Sequence, residues 1–269
     1  MRREDIKQVQ GLKVAALVSV GRHPVTGRPR RADFDARAVE MGLSLVAPEN
    51  MSLLHAGECS PERESALRGY LGMGIGALDV LDQPPEADIV PALEARLREM
   101  GARLVLCGAR GEMGEASGLV PFLLAERLGW SLVSGLAQIE SVDGDSMTVL
   151  QALPRGQRRR LKVRLPAVVT VDAAAQAARQ SAYGPARRGE LRRIEGEVTP
   201  DAAARDWNTA PAKKRPKRLK IVKAASARDR FKAAAAKAEG GGGQVLTGLS
   251  PQAGAEAILK LLREEGVLR

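Results

Sequence analysis

Four short aliphatic runs, each followed by a segment of helical character, leave this chain of 269 residues few ways to fold. The runs are Leu12–Val20, Met51–His55, Ala77–Leu81 and Arg103–Cys107. Each is the length of a buried strand and rich in β-branched or aliphatic side chains. Between them the apolar spacing lengthens. Phe34, Ala38, Val39 and Leu43 form one helical stripe, capped by Asp33 or Asp35. Ser60-Pro61-Glu62 is a helix start, with a capping serine, proline at the first position and acid in the first turn. That helix runs to about Met73, and another spans Asp88 to Met100 and stops at Gly101. A repeated strand–helix alternation buries both faces of a mostly parallel sheet under helices.

After Trp130 the pattern changes. Leu132–Val142, Ser146–Leu153 and Leu161–Val171 read as strands, with turns at Asp143-Gly144-Asp145 and Arg155-Gly156-Gln157. They are expected to add antiparallel strands to the sheet. Three parts follow from the composition. Residues 1–195 form an α/β domain, 196–243 a basic arm rich in Ala, Pro and Gly, and 244–269 an amphipathic helix. That helix, Pro251–Glu265, carries Ala257, Ile258, Leu261 and Leu262 on one stripe and is expected to dock on a partner.

The totals exclude several classes. Two cysteines, one inside an apolar strand, do not make a disulfide framework, and two distant histidines do not make a zinc site. No apolar run is long enough to span a bilayer, and the charged start MRREDIKQVQ lacks a secretory core, so a cytoplasmic location with no membrane insertion is expected. The net charge of +10 points first to nucleic acid. However, twelve Lys and Arg against five Asp and Glu fall between Gly196 and Gly243, and the rest is near balance. Nucleic acid is therefore the weaker expectation.

The richest stretch is Arg103–Trp130. A strand ends at Cys107, glycines follow at Gly108, Gly111, Gly114 and Gly118, and Ser117 is placed to cap the next helix. Strand ends that feed glycines into a helix N-terminus hold anions, because free amides and the helix dipole face the ligand. The same residues also suit a plain strand–helix turn, since they form neither a P-loop nor G-x-G-x-x-G. Glu112 and Glu115 read as solvated loop charges, and Arg158-Arg159-Arg160 as a solvated hairpin tip. No nucleophile elbow or triad is present, which favours a binding or cofactor-holding subunit over a complete enzyme.

Five segments, in order and spacing, resemble the beta subunit of electron transfer flavoproteins. They are Val18–Arg22; Asp33–Glu40, similar to N-P-F-x-x-x-A-V-E; Ala66–Gly74, similar to a helix end reading A-L-A-M-G-A; Gly118–Trp130, similar to G-Q-V-G-P-x-L-A-E-x-L-G-W; and Leu165–Asp172, L-P-A-V-V-T-V-D. The resemblance implies an adenine-nucleotide alpha-hydrolase-like fold and a non-enzymatic electron carrier. It implies a heterodimer with an alpha subunit that holds most of a shared FAD. It further implies a structural AMP wrapped by Ser19, Gly108 and the loop carrying Gly111, Gly114, Glu115, Ser117, Gly118 and Val120. By the same resemblance Phe34 lies near the flavin. A flavin dehydrogenase is the implied donor and a membrane quinone oxidoreductase the implied acceptor, with Tyr183 and Arg188 at the donor-docking positions. The chain also departs from the pattern. Gly108–Glu115 replaces G-K-Q-x-x-D-x-D with a loop about one residue longer, and Ala174–Gln180 replaces L-N-E-P-R-Y. A nucleotide- or nucleic-acid-binding module using the glycine loop and the basic arm is the alternative reading.

Overall fold

The computed structural model describes residues 9–208 and 247–264, together with 210, 211 and 226. The chain divides into two compact units, Met1–Asn208 and Thr209–Arg269. In the first, strands β1 (Val14–Leu17), β4 (Met51–Ala56), β5 (Ala77–Leu81) and β6 (Leu104–Gly108) alternate with helices α1 (Asp33–Leu45), α2 (Pro61–Leu71), α3 (Ile89–Met100) and α4 (Val120–Leu128). This is the alternation expected from the sequence. A nine-stranded sheet runs β11-β5-β4-β1-β6-β10-β7-β8-β9, where β7 is Ser131–Asp143, β8 Ser146–Ala152, β9 Arg158–Arg164, β10 Ala167–Val171 and β11 Glu190–Ile194.

The sheet is sandwiched because each central strand is apolar on both faces. Val14 and Ala16 join α1 and α2 in one core, while Ala15 and Leu17 join α3 and α4 in the other. Helix ends follow local chemistry where that chemistry is strong. Asp88 caps α3 by accepting the Val90 amide at 3.0 Å, and Gly101 ends it in the left-handed conformation at φ 62°.

The structure differs from the sequence expectation at several points. Residues expected as a loop after β1 form a hairpin of β2 (Val20–Arg22) and β3 (Pro29–Arg31). Their arginines and short length hide the strands from a hydrophobicity pattern. The run Leu161–Val171 is two strands, separated at the cis Leu165–Pro166 bond. The first is edge strand β9. The second, β10, inserts between β6 and β7 and pairs in parallel with both. Strand β7 is thus parallel to the main sheet, and within that sheet the antiparallel pairings are β7–β8 and β8–β9. Arg158–Arg160 opens β9 rather than forming a hairpin tip, and Arg160 meets Glu140 at 2.6 Å.

The basic stretch before Glu195 contains helix α5 (Tyr183–Arg188) and β11, neither of which the sequence pattern marks. Arginine disguises β11, yet arginine holds it in place. Arg192 lies opposite Asp79 in the ladder and meets it at 3.0 Å, while Arg193 reaches Asp82 at 2.8 Å. Asp79 is buried and also pairs with Arg96 of α3 at 2.7 Å, so the edge strand is tied to a helix through one carboxylate. A short helix, α6 (Ala202–Arg205), follows Asp201, which caps it.

In the second unit, α7 (Pro251–Glu264) is the described helix and buries none of its residues. Ile258 and Leu261 of its apolar stripe are exposed. Most of the basic arm, including Gly240–Gly243, lies outside the described residues. Among the described residues, no helix is long and apolar enough to cross a membrane.

Candidate functional site

Chain direction places the site. From β1 the chain steps outward through β4 to β5, then returns to lay β6 on the opposite side of β1. Beyond the carboxyl ends of β1 and β6 the two connections diverge, and such switch points leave a crevice for ligands. Ser19 follows β1, Gly108 ends β6, and Phe34 and Asp35 open α1 beside them.

Asp35 is the hub of this junction. Its carboxylate is buried and accepts the Ser19 amide at 2.8 Å, the Ser19 hydroxyl at 2.5 Å and the Gly108 amide at 2.9 Å. Burial pushes its pKa up to about 6, against the opposing pull of the Ser19 and Gly108 bonds. The sequence suggests Asp33 or Asp35 as the cap of α1. Ala32 instead occupies the cap position, with no side-chain bond, and Asp35 turns inward to join two strand ends. Tyr70 of α2 completes the arrangement. Its hydroxyl donates to the Ser19 carbonyl at 2.8 Å and accepts the Ala32 amide at 2.8 Å. Burial raises the Tyr70 pKa, with Asp35 adding to the effect. On the other side of β1, the His55 ring donates from Nδ1 to the Val18 carbonyl at 2.8 Å, and its buried Nε2 makes no well-formed hydrogen bond among the described residues.

The loop after Gly108 is built differently. Of the amides from Gly108 to Leu119, two make well-formed bonds to protein acceptors among the described residues: Gly108 to Asp35, and Leu119 to the Ser117 hydroxyl at 3.3 Å. The rest are free. Ala116 and Gly118 take left-handed backbone, at φ 52° and 75°, and Gly114 does so at φ 73°. Ser117 does not cap α4 as the sequence suggests. Leu119 holds the cap position with no side-chain bond, so α4 begins uncapped at Val120. Loop amides without well-formed protein acceptors, next to the Val120 amide at the start of α4, suit an oxyanion.

Glu112 is not a solvated charge. Its carboxylate accepts the Arg22 amide at 3.0 Å, the Asp33 amide at 2.9 Å and the Arg30 guanidinium at 3.0 Å. Glu115 is exposed.

Ser19, Phe34 and Gly108 therefore meet at the strand ends, Gly111, Gly114, Glu115, Ser117 and Gly118 lie in the adjoining loop, and Val120 opens α4 after it. Tyr183 and Arg188 lie elsewhere, on α5, which packs on α2. Tyr183 is 77% exposed. The segment leading to it is fastened by arginines. Arg37 donates to the carbonyl of Ala175 at 2.6 Å, Arg31 donates to that of Arg179 at 2.7 Å, and Arg179 meets the buried Glu40 carboxylate at 2.7 Å. Sequence reasoning misses Asp35, Tyr70 and His55 as site residues. The one available signal is an acid, a tyrosine and a histidine in otherwise apolar positions.

Residues 26–198 match the electron transfer flavoprotein domain family. The chain is also 65% identical, over 258 residues, to the electron transfer flavoprotein subunit beta of Chromohalobacter salexigens, across 96% of each chain.

Proposed function

Because the chain belongs to the electron transfer flavoprotein family, as a beta subunit, we propose that it pairs with an alpha subunit, shares an FAD held mostly by that partner, and carries a structural adenine nucleotide, AMP by resemblance, at the β1/β6 crevice. It is an electron carrier subunit and performs no bond-making chemistry of its own. The observation behind the nucleotide site is the row of amides between Ala109 and Gly118 that, among the described residues, lack well-formed protein acceptors and lie beside the start of α4. These groups suit a phosphate. Close to Gly108 the fit changes, because Asp35 already takes the Ser19 and Gly108 amides and places a carboxyl there. A phosphate thus belongs toward Ser117–Val120, and uncharged parts of the nucleotide toward Ser19 and Gly108.

FAD supplies the redox chemistry when bound. This chain's own contributions are to present Phe34 at the crevice, to brace the partner and to offer a docking surface. Electrons arrive from a flavin dehydrogenase and leave to a membrane quinone oxidoreductase in this reading. The exposed ring of Tyr183, with Arg187 and Arg188 beside it on a fastened segment, suits brief docking on an acidic protein face. Replacing the ring in Tyr183→Ala is expected to slow reduction by the complex's own dehydrogenase at sub-saturating donor and to leave the flavin spectrum unchanged. Stopped-flow absorbance follows both.

The exposed apolar stripe of α7 gives the alpha subunit a helix to grip. Co-expression with the alpha subunit is expected to give a yellow complex that releases an adenine nucleotide on denaturation. A chain ending at Gly243 should lose much of its affinity for alpha. A colourless protein that binds oligonucleotides tightly, with steep salt dependence, would instead support the nucleic-acid reading.

A further inference from the structure

Among the described residues, Glu112 is the one side chain between Ala109 and Gly118 that bonds outside the loop and its junction with α4. The tie is well made. Oε2 accepts the Arg22 amide at the end of β2 and the Arg30 guanidinium, each at 3.0 Å. Oε1 accepts the Asp33 amide at 2.9 Å and the same guanidinium at 3.1 Å. Asp33 is the first residue of α1, so the carboxylate also faces the positive end of that helix dipole.

The hairpin makes room for this contact. A Cβ on Gly21 would lie 2.7 Å from Glu112 Oε2 and 2.7 Å from the Ala32 Cα. A charged acceptor in this setting is shielded, since the Glu112 side chain is 20% exposed and Arg30 is 36%. Gly111 and Gly114 flank Glu112, Ala116 and Gly118 are left-handed, and the intervening amides have no well-formed protein acceptor among the described residues. One strong bond cluster on a segment with few other well-formed bonds allows two arrangements, latched and released. Exposed backbone with few internal bonds opens at little cost.

We propose that Glu112 is the positioning residue that latches the glycine loop shut over the nucleotide crevice, and that its release sets how fast a bound adenine nucleotide exchanges. The proposal rests on the nucleotide reading above and deepens it. Latched, the loop presents its free amides in one pose and closes the way out. Unlatched, the same amides solvate independently and the crevice opens. Arg30 adds charge and two bonds from one nitrogen of a flexible, part-exposed side chain, while the Arg22 and Asp33 backbone amides fix the carboxylate's position. Removing the guanidinium should therefore weaken the latch less than removing the carboxylate does.

The test uses the co-expressed heterodimer and radiolabelled AMP. Exchange of bound nucleotide for the label is followed by rapid filtration at low and moderate salt. Glu112→Ala and Glu112→Gln are expected to exchange at least about tenfold faster than wild type, the scale of one lost charge-assisted tie. Arg30→Gln should fall between them and wild type. Flavin content should stay at the wild-type level in all three. Salt should speed exchange in the wild type more than in Arg30→Gln, because screening acts on the ion pair. The Gln variant guards against misfolding, since it keeps the shape and one acceptor. A wild-type complex that holds AMP, with both Glu112 variants exchanging at the wild-type rate, overturns the latch alone. A wild-type complex that neither releases an adenine nucleotide nor takes up AMP overturns the nucleotide reading, and the latch with it.

Discussion

Asp35→Ala is expected to lower the unfolding free energy by about 2–4 kcal/mol, because two amides at the ends of β1 and β6 lose their acceptor inside the protein. The Ser19 and Gly108 amides and the Ser19 hydroxyl all bond Asp35 and lose that acceptor together. The penalty should depend on pH in a defined sense. The folded pKa of Asp35 is pushed up to about 6 from an ordinary value of 3.8, with burial as the main cause. The folded state therefore holds this proton more tightly than the unfolded chain does. The resulting stability is complete below the unfolded value and is lost as pH rises through the folded one. Between about pH 4 and pH 6 this one group changes stability by up to about 3 kcal/mol. The wild-type advantage over Asp35→Ala should thus be larger at pH 4.5 than at pH 7. Urea unfolding of the two proteins at both pH values isolates the effect, since the other acids cancel in the difference. An equal penalty at both values would show that burial does not raise the Asp35 pKa in the folded protein.

The second large effect is expected at Gly108. A methyl group there would lie 2.9 Å from the Phe34 Cβ and 3.3 Å from the Asp35 amide, and would strike the Asp35 carboxylate. None of these neighbours can retreat easily, because Phe34 and Asp35 belong to the first turn of α1 and Asp35 is bonded on both sides. Overpacking of a filled core commonly costs about 1–3 kcal/mol, and here it also splits the Asp35 bonds, so Gly108→Ala should fall at the upper end of about 3 kcal/mol. Gly111→Ala is the control. Its Cβ would meet the Met113 carbonyl at 3.4 Å, an ordinary contact, on a backbone that is not left-handed. Thermal unfolding of the two variants should separate them by several degrees, with Gly111→Ala close to wild type. The same pair distinguishes a structural from a ligand effect, since only Gly108→Ala should both destabilise the fold and impair nucleotide retention.

Much of this molecule is legible in the amino-acid chain alone. The four aliphatic runs are β1, β4, β5 and β6, and the segments that follow them hold α1 to α4, because periodicities of two and 3.6 are local properties of a sequence. The glycine loop is visible for the same reason, as is the family resemblance, carried by segments such as Leu165–Asp172. Strand β11 is not visible. Its sequence, Glu-Leu-Arg-Arg-Ile, reads as solvated, and it is a strand only because Asp79 and Asp82 stand ready for its arginines.

The roles of the two carboxylates are equally hidden. Asp35 reads as a helix cap and Glu112 as a loop charge, each a fair reading of its neighbours in sequence. Their partners are remote. Asp35 bonds residues 16 and 73 positions away, and Glu112 bonds amides 79 and 90 positions away. By itself, then, the sequence determined the alternation, the two-faced core and the place of the loop, since local pattern and apolar burial decide those. Only the tertiary structure decided that β10 enters between β6 and β7, that β11 closes the far edge, and which acids turn inward at the crevice. Those outcomes depend on which distant donors the fold brings within about 3 Å of a buried charge, and no local pattern carries that information.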